Sequence, residues 1–364
     1  MKAPGANRTV SLAAFVLALA CAGRASDTFS LFRGEGRARA SAPGPTSFSL
    51  RASLAPVDPP DLRSAVAAAA ASNQHPPSPA LAPPPNKTLA RLVTAGILVG
   101  SAASALQEGF VSGFVPFHAD RENWFGKHTY AGGADKASHF VMYSTLTREL
   151  RIAYERMDYA ENRAYRMAVA TSLATGLITE IGNGLGQGPG FSFEDLASDA
   201  LGIGAAVFLS KHGLDDVAGF RFGPVPAPLP NPCCPADEIG KDYSEEIYTG
   251  DLKIAGVAAR AHFDPGPARF LLLSMTYGTK GYKTSLPEYR QQQIGIEIGV
   301  NFPEILTAVG VRDTTWWGRA LFILFNTLRI PYTQIGYRYD FVHQIWLGPN
   351  IGQEYDPGPG APSP

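Results

Sequence analysis

Two periodicities divide this chain. Between Lys87 and Lys211 apolar positions recur at helical spacing, and beyond Lys241 they recur at every second residue. Leu89–Leu106 is dominated by Ala, Gly, Val, Leu and Ser, with Arg91 near its start and Glu108 just past its end, and predicts a buried helix. A loop rich in aromatic residues and histidine follows, from Phe114 through Phe117, His118, Trp124, Phe125 and His128 to Tyr130. A second helix is predicted from Asp135 to about Met157. At about 100° per residue, Asp135, His139, Tyr143, Leu146, Leu150 and Met157 share one stripe, with Arg148, Arg151 and Glu155 opposite. Asp135 and His139 are therefore expected to face inward. A third helix, Ala160–Ile181, carries no charge from Met167 to Thr179 before it reaches Glu180, and a glycine-rich loop is expected over Gly182–Gly190. Ser192 then stands three residues before Asp195, the capping-box spacing. The helix it opens runs to about Lys211, with Asp199 alone among apolar residues and with Gly202 and Gly204 placed for close helix approach.

After the Pro-rich stretch Phe222–Lys241 the period-two pattern begins. Phe270–Tyr277 is apolar, with a turn expected at Gly278–Gly281. Ile294, Ile296, Ile298, Val300 and Phe302 alternate with Gly295, Glu297, Gly299 and Asn301, and Tyr332–Phe341 alternates likewise. Trp316–Leu328 predicts a short helix, stopped by Pro331. The expected fold is mainly α: a membrane-associated bundle of about four helices, then a small antiparallel sheet carrying one helix over a packed core. The Trp-headed helix or a sheet edge resting on lipid headgroups is the alternative use of that apolar surface. No predicted helix has a clean apolar run of about 18 residues, which favours a compact unit at a membrane surface over a spanning bundle. The expected organisation is a signal peptide over 1–23, an Ala/Pro-rich linker over 24–86, a helical domain over 87–221, a second linker over 222–241, a β-containing unit over 242–351 and a tail over 352–364.

The N-terminus adds a destination. Lys2 and Arg8 precede a short apolar run, Val10–Ala20, and Ala18-Leu19-Ala20 offers a small-x-small cleavage site. Cys21 follows directly, as in a bacterial lipobox, although Ala18 holds the position usually taken by leucine. Lipidation at Cys21 and simple cleavage both fit. The remaining cysteines, Cys233-Cys234, are adjacent in Pro-rich sequence and lack metal-type spacing. A formal net charge of −1 supplies no basic face for nucleic acid.

The candidate chemistry lies where charges interrupt apolar helices, because isolated buried charge is costly. Asp135 and His139 are four apart on one helix, Asp195 and Asp199 on another, and Glu180 ends the helix between them. If these five converge, they can form a divalent-metal site, with Asp135, His139, Glu180 and Asp199 as ligands, or an acid–base centre. Lys136 is expected at the rim as a contact for an anionic headgroup or phosphate. Structural roles compete with these. Asp195 completes a capping box, Asp135 follows glycines as an N-cap would, His139 fits a satisfied core histidine, and Glu180 needs a cation such as Lys136 or Arg166. The chain lacks a Gly-x-Ser-x-Gly elbow, a P-loop and a dinucleotide fingerprint.

Phe117-His118, Trp124, Ala134-Asp135-Lys136-x-x-His139-Phe140, Glu180-x-x-Asn183-Gly184 and Gly190-Phe191-Ser192-x-x-Asp195-x-x-x-Asp199-x-x-Gly202 together resemble the YfiM-like family of predicted periplasmic lipoproteins. The same residues more distantly resemble VanZ-like membrane proteins. The resemblance spans about Val111–Phe208, with Asn183 in place of an acidic residue and Thr179 in place of a frequent lysine. It implies an envelope location and a helical membrane-associated domain without an established activity; for the VanZ-like proteins it implies a link with glycopeptide resistance. The expected function is an exported, periplasmic-side and membrane-associated envelope component, lipid-anchored at the outer membrane if Cys21 is acylated. It would be structural or bind lipid or an envelope partner. The alternatives are a metal-assisted or acid–base enzyme acting on a lipid-linked or cell-wall substrate, and a VanZ-like spanning protein.

Overall fold

The computed structural model describes residues 84–188, 190–224, 243, 246–282 and 290–350. Cys21, the signal segment, most of both linkers, Cys233-Cys234 and the tail lie outside the described residues. Four long helices come first: α1 (Lys87–Ser112), α2 (Ala134–Arg156), α3 (Glu161–Leu185) and α4 (Phe193–Lys211). Strand β1 (Ala218–Pro224) follows, ahead of the Pro-rich break, then β2 (Glu246–Lys253), helix α5 (Ile254–Arg260), β3 (Leu271–Lys280) and β4 (Gln291–Val300). Helices α6 (Phe302–Ala308) and α7 (Trp316–Thr327), then strands β5 (Gln334–Asp340) and β6 (Ile345–Asn350), complete the unit. The chain is mainly α with a C-terminal antiparallel sheet, as expected, but that sheet is accompanied by three short helices rather than one.

Helix α2 is central. Its predicted inward stripe is buried at Asp135, Tyr143, Leu146, Leu150 and Met157, and it packs on α3, α4 and the start of the sheet. Gly133 caps it with φ 92°, a left-handed backbone that suits glycine. Helix α4 starts on a serine N-cap, with Ser192 Oγ accepting from the Asp195 amide at 3.2 Å. Gly202 allows α4 to touch α2, since a Cβ there would lie 2.2 Å from the Phe140 carbonyl oxygen; Gly204 has nothing within 4 Å and serves no such contact. Helix α3 runs on through Gly182 and Gly184 to Leu185, where a loop was expected. Gly182 stays helical because α1 crosses there, with Ala105 where a side chain would otherwise stand. Helix α1 itself is not the buried helix its composition suggests. Leu89, Val93 and Ile97 pack against the core, but Leu92, Val99 and Phe110 are exposed.

The six strands form one meander in sequence order, every pair antiparallel. The buried face is polar. Arg221 holds Asp251 through Nε at 2.6 Å and a second nitrogen at 3.1 Å, and Ser274 Oγ donates to the same carboxylate at 2.6 Å. Glu297 accepts from Arg329 at 2.9 Å and Arg338 at 2.7 Å. The opposite face is apolar and only partly covered. Over β1 and β2 it packs on α2, where the Phe140 and Phe220 rings meet edge to face at 4.8 Å beside Val141 and Tyr248. From β3 to β5 it is open, with Met275 and Ile296 each 62% exposed. The packed sheet–helix core is therefore confined to one side of the sheet. Strand β3 also passes through the expected turn to Lys280, because Thr279 Oγ1 and Tyr277 Oη donate to the Ala131 and Gly132 carbonyls and hold it straight.

Candidate functional site

Asp135, Lys136, His139, Glu180, Asp195 and Asp199 come together on three helices, and the aromatic loop adds Glu122. Two halves share Asp195. In the first, Lys136 Nζ pairs with Glu122 Oε2, with Asp135 Oδ2 at 2.6 Å and with Asp195 Oδ1 at 2.7 Å. Lys136 is 2% exposed, so it is no rim contact for an anion. One turn into α2, its ammonium is already enclosed by three carboxylates, and no donor is left facing solvent. In the second half, His139 Nδ1 donates to Asp199 Oδ1 at 2.8 Å, while Nε2 stands 3.8 Å from Asp195 Oδ2. Tyr143 lies nearly parallel to the imidazole, with ring centres 6.1 Å apart. Glu180 is held by the Ser192 amide at 3.0 Å and by Asn183 Nδ2 at 3.2 Å, rather than by Lys136 or Arg166. The unexpected Asn183 thus fixes Glu180 as a neutral donor, where an acidic residue would repel it.

Local sequence explains the placement. Asp199 is wholly buried in mid-helix and is accommodated by Gly176 of α3, where a Cβ would fall 2.4 Å from Asp199 Oδ2. Asp135 does not cap α2; Gly133 does, which leaves the carboxylate for Lys136. Asp195 does not complete the capping box: its amide donates to Ser192 Oγ, but the Ser192 amide is taken by Glu180, which leaves the Asp195 carboxylate for Lys136. Sequence reasoning missed Glu122. It sits between Arg121 and Asn123 in irregular sequence without periodicity, and only its burial marks it. The loop is fixed to α3 and α4 by backbone bonds from His118 to Gly184 and between Phe191 and His118.

The electrostatics follow from an imbalance: five carboxylates enclose one ammonium and one imidazole. Burial, reinforced by Asp195, pushes Glu122 up to about 8. Burial likewise lifts Glu180 to about 7 against the opposing pull of His139, and it raises Asp199. Burial works against the charge on His139, but Asp195, Asp199 and Glu180 outweigh it and hold the imidazole up at about 9. The same contest, with Asp195 and Asp135, keeps Lys136 above its ordinary value. Three buried carboxylate oxygens, Asp135 Oδ1, Asp195 Oδ1 and Asp199 Oδ2, make no hydrogen bond among the described residues, and of these Asp195 Oδ1 still lies against the Lys136 ammonium. One oxygen or nitrogen each from His139, Glu180 and Asp195 lies within 4.8 Å of the others, and the same holds for Glu122, Asp135 and Asp195. The second trio already holds Lys136. The first has the donor set of a divalent cation, with Asp199 behind His139 Nδ1 as an orienting carboxylate.

Fold and site together define a helical unit closed around a buried acid–lysine–histidine centre and continued by an antiparallel sheet. Residues 121–211, about a quarter of the chain, match the model of a family described as predicted periplasmic lipoprotein (DUF2279). The match begins one residue before Glu122 and ends with α4, so it contains every residue of the centre. That description agrees with an exported, periplasmic protein and carries no activity, no YfiM-like name and no relation to VanZ-like proteins. No curated protein and no solved structure matches the chain.

Proposed function

We propose that this protein is a non-enzymatic envelope component whose helical unit takes up a divalent cation at His139, Glu180 and Asp195. The observation that carries the proposal is the surplus of carboxylates in an enclosed volume, with three ligand atoms already within 4.8 Å of one another. Such a surplus is neutralised by protons or by a cation, and a trio of two carboxylates and an imidazole suits the cation. Enclosure argues against catalysis on a lipid-linked or cell-wall substrate. Glu180 and Asp199 are wholly buried and the His139 side chain is 14% exposed, so protons and small ions have access but an organic substrate does not. His139, Glu180 and Asp195 would hold the ion, Asp199 would keep the imidazole turned toward it, and the bound charge would tie α2, α3 and α4 together.

The test is elemental analysis of gently purified full-length protein, with thermal stability measured before and after a chelator. The proposal expects about one divalent ion per chain and a melting temperature that falls on chelation and returns on adding the ion back. It also expects His139→Gln to abolish uptake while Lys136 continues to hold its carboxylates. Absence of bound metal together with no response to chelator would leave a proton-closed structural network in its place.

A further inference from the structure

The sheet is inside-out relative to a soluble half-buried sheet. Its enclosed face carries the Arg221–Asp251 and Glu297–Arg329–Arg338 ion pairs, whereas the face turned outward carries Leu273, Met275, Ile296, Ile298, Ile335 and Tyr337. Register makes these one surface, not scattered exposures. Leu273 pairs with Ile298 and Ile298 with Ile335, while Met275 pairs with Ile296 and Ile296 with Tyr337. From β3 to β5 the outward row contains no charged side chain. It continues the apolar face that α2 covers over β1 and β2, and it ends on Trp346 of β6, 70% exposed.

We propose that this open half of the sheet is a lipid contact, seated in the acyl region of one membrane leaflet. Its dimensions decide between seating and crossing. The exposed apolar row runs from Leu271 of β3 to the level of Ile294 of β4, which pairs with Tyr277, about 20 Å at roughly 3.3 Å per residue and about two thirds of a hydrocarbon core of roughly 30 Å. The exposed apolar row, rather than the ten-residue strands that carry it, is therefore too short to cross and deep enough to enter. Aromatic side chains belong to the row or edge it, Tyr337 beside Ile296 and Trp346 on β6, a residue type enriched at the membrane–water boundary. A second copy of the chain would instead need polar rim contacts to set its register, which this row lacks. Exposed apolar side chains also cover α1, whose stretch Lys87–Gln107 is long and apolar enough to cross a membrane and is hardly buried. Lipid contact serves both surfaces.

The test uses the full chain with Cys21, Cys233 and Cys234 changed to serine, which removes both the native thiols and any acyl attachment. A nitroxide is placed at Ile296→Cys or, as a control, at the exposed Asp264→Cys. On neutral phosphatidylcholine vesicles the label at position 296 should collide with oxygen more than with a water-soluble nickel chelate, and the label at 264 should do the reverse. Ile296→Asp should weaken vesicle binding at least about tenfold with an unchanged melting temperature, because it removes apolar area and adds a charge. A label at 296 that remains open to nickel on vesicles overturns the proposal. So does one shielded from both reagents, whether the mass doubles, which assigns the face to a second copy, or stays monomeric, which assigns it to another segment of this same chain.

Discussion

Lys136→Met is the sharpest perturbation of the buried centre. The substitution keeps the length of the side chain and removes the one ammonium shared by Glu122, Asp135 and Asp195. Breaking a buried pair by deleting one partner costs about 3–5 kcal/mol, and here three carboxylates lose the same partner. Their response is to take up protons, which limits the loss, since each tenfold gain in a carboxylate's proton affinity corresponds to about 1.4 kcal/mol. The expected loss is therefore about 4 kcal/mol at pH 7, or roughly 10 °C for a protein of this size. The natural assay is urea unfolding followed by tryptophan fluorescence, since Trp124 and Trp346 report on opposite halves. Two further results are required. The deficit must shrink below about pH 5, where stranded carboxyls protonate without penalty, and Lys136→Met with Glu122→Gln must be more stable than Lys136→Met alone. A loss under about 1 kcal/mol, insensitive to pH, is what a surface pair gives, and it would refute the reading of Lys136 as the ionic hub.

Gly202→Ala should destabilise by about 2–3 kcal/mol through overpacking, because its Cβ meets the backbone oxygen of Phe140, whereas Gly204→Ala should be neutral or stabilising by up to about 1 kcal/mol; equal effects in thermal unfolding would exclude the close α2–α4 contact. In cation-free protein stability should fall as pH rises from about 4.5 to 9. Glu180 at about 7, Glu122 at about 8 and His139 at about 9 all sit above their unfolded values, so each stabilises below its unfolded pKa and loses that contribution as pH passes its folded one. Asp135, Lys136, Asp195 and Asp199 are the other charged groups that face them; a melting temperature flat across that range would contradict the burial of the centre. Glu297→Gln should cost about 3–5 kcal/mol in urea unfolding by stranding Arg329 and Arg338, and a loss under about 1 kcal/mol would mean that the polar face is wet.

Helical periodicity was enough to place α2 and its inward Asp135–His139 stripe, because every position of a long amphipathic helix repeats the same signal. The N-cap at Ser192 was legible for a similar reason, being a local hydrogen bond with fixed spacing, whereas the return bond from Asp195 gave way to Glu180. Partner choice was not. Lys136 lies one residue from a buried aspartate, and nothing along the chain says that a loop carboxylate from Glu122 and a helix carboxylate from Asp195 will close over it. Gly182 and Gly184 read as loop because glycine is a poor helix former, yet the close crossing of Ala105 outweighs that preference at Gly182. The period-two pattern of Ile294–Val300 identified the strand but not its orientation. Alternation defines two faces, and only the Glu297–Arg329–Arg338 cluster, assembled from three distant segments, makes the polar face the enclosed one.

The most direct measurement of the central claim is proton release on cation binding. Zinc titrated into chelated full-length protein at pH 7, in two buffers of different ionisation enthalpy, should bind at about one equivalent and expel about one to two protons. His139 supplies nearly one and Glu180 about half of one, given folded values near 9 and 7. His139→Gln should remove the binding and the release together. Saturation without proton release, or no saturable binding at all, would contradict a cation site at His139, Glu180 and Asp195.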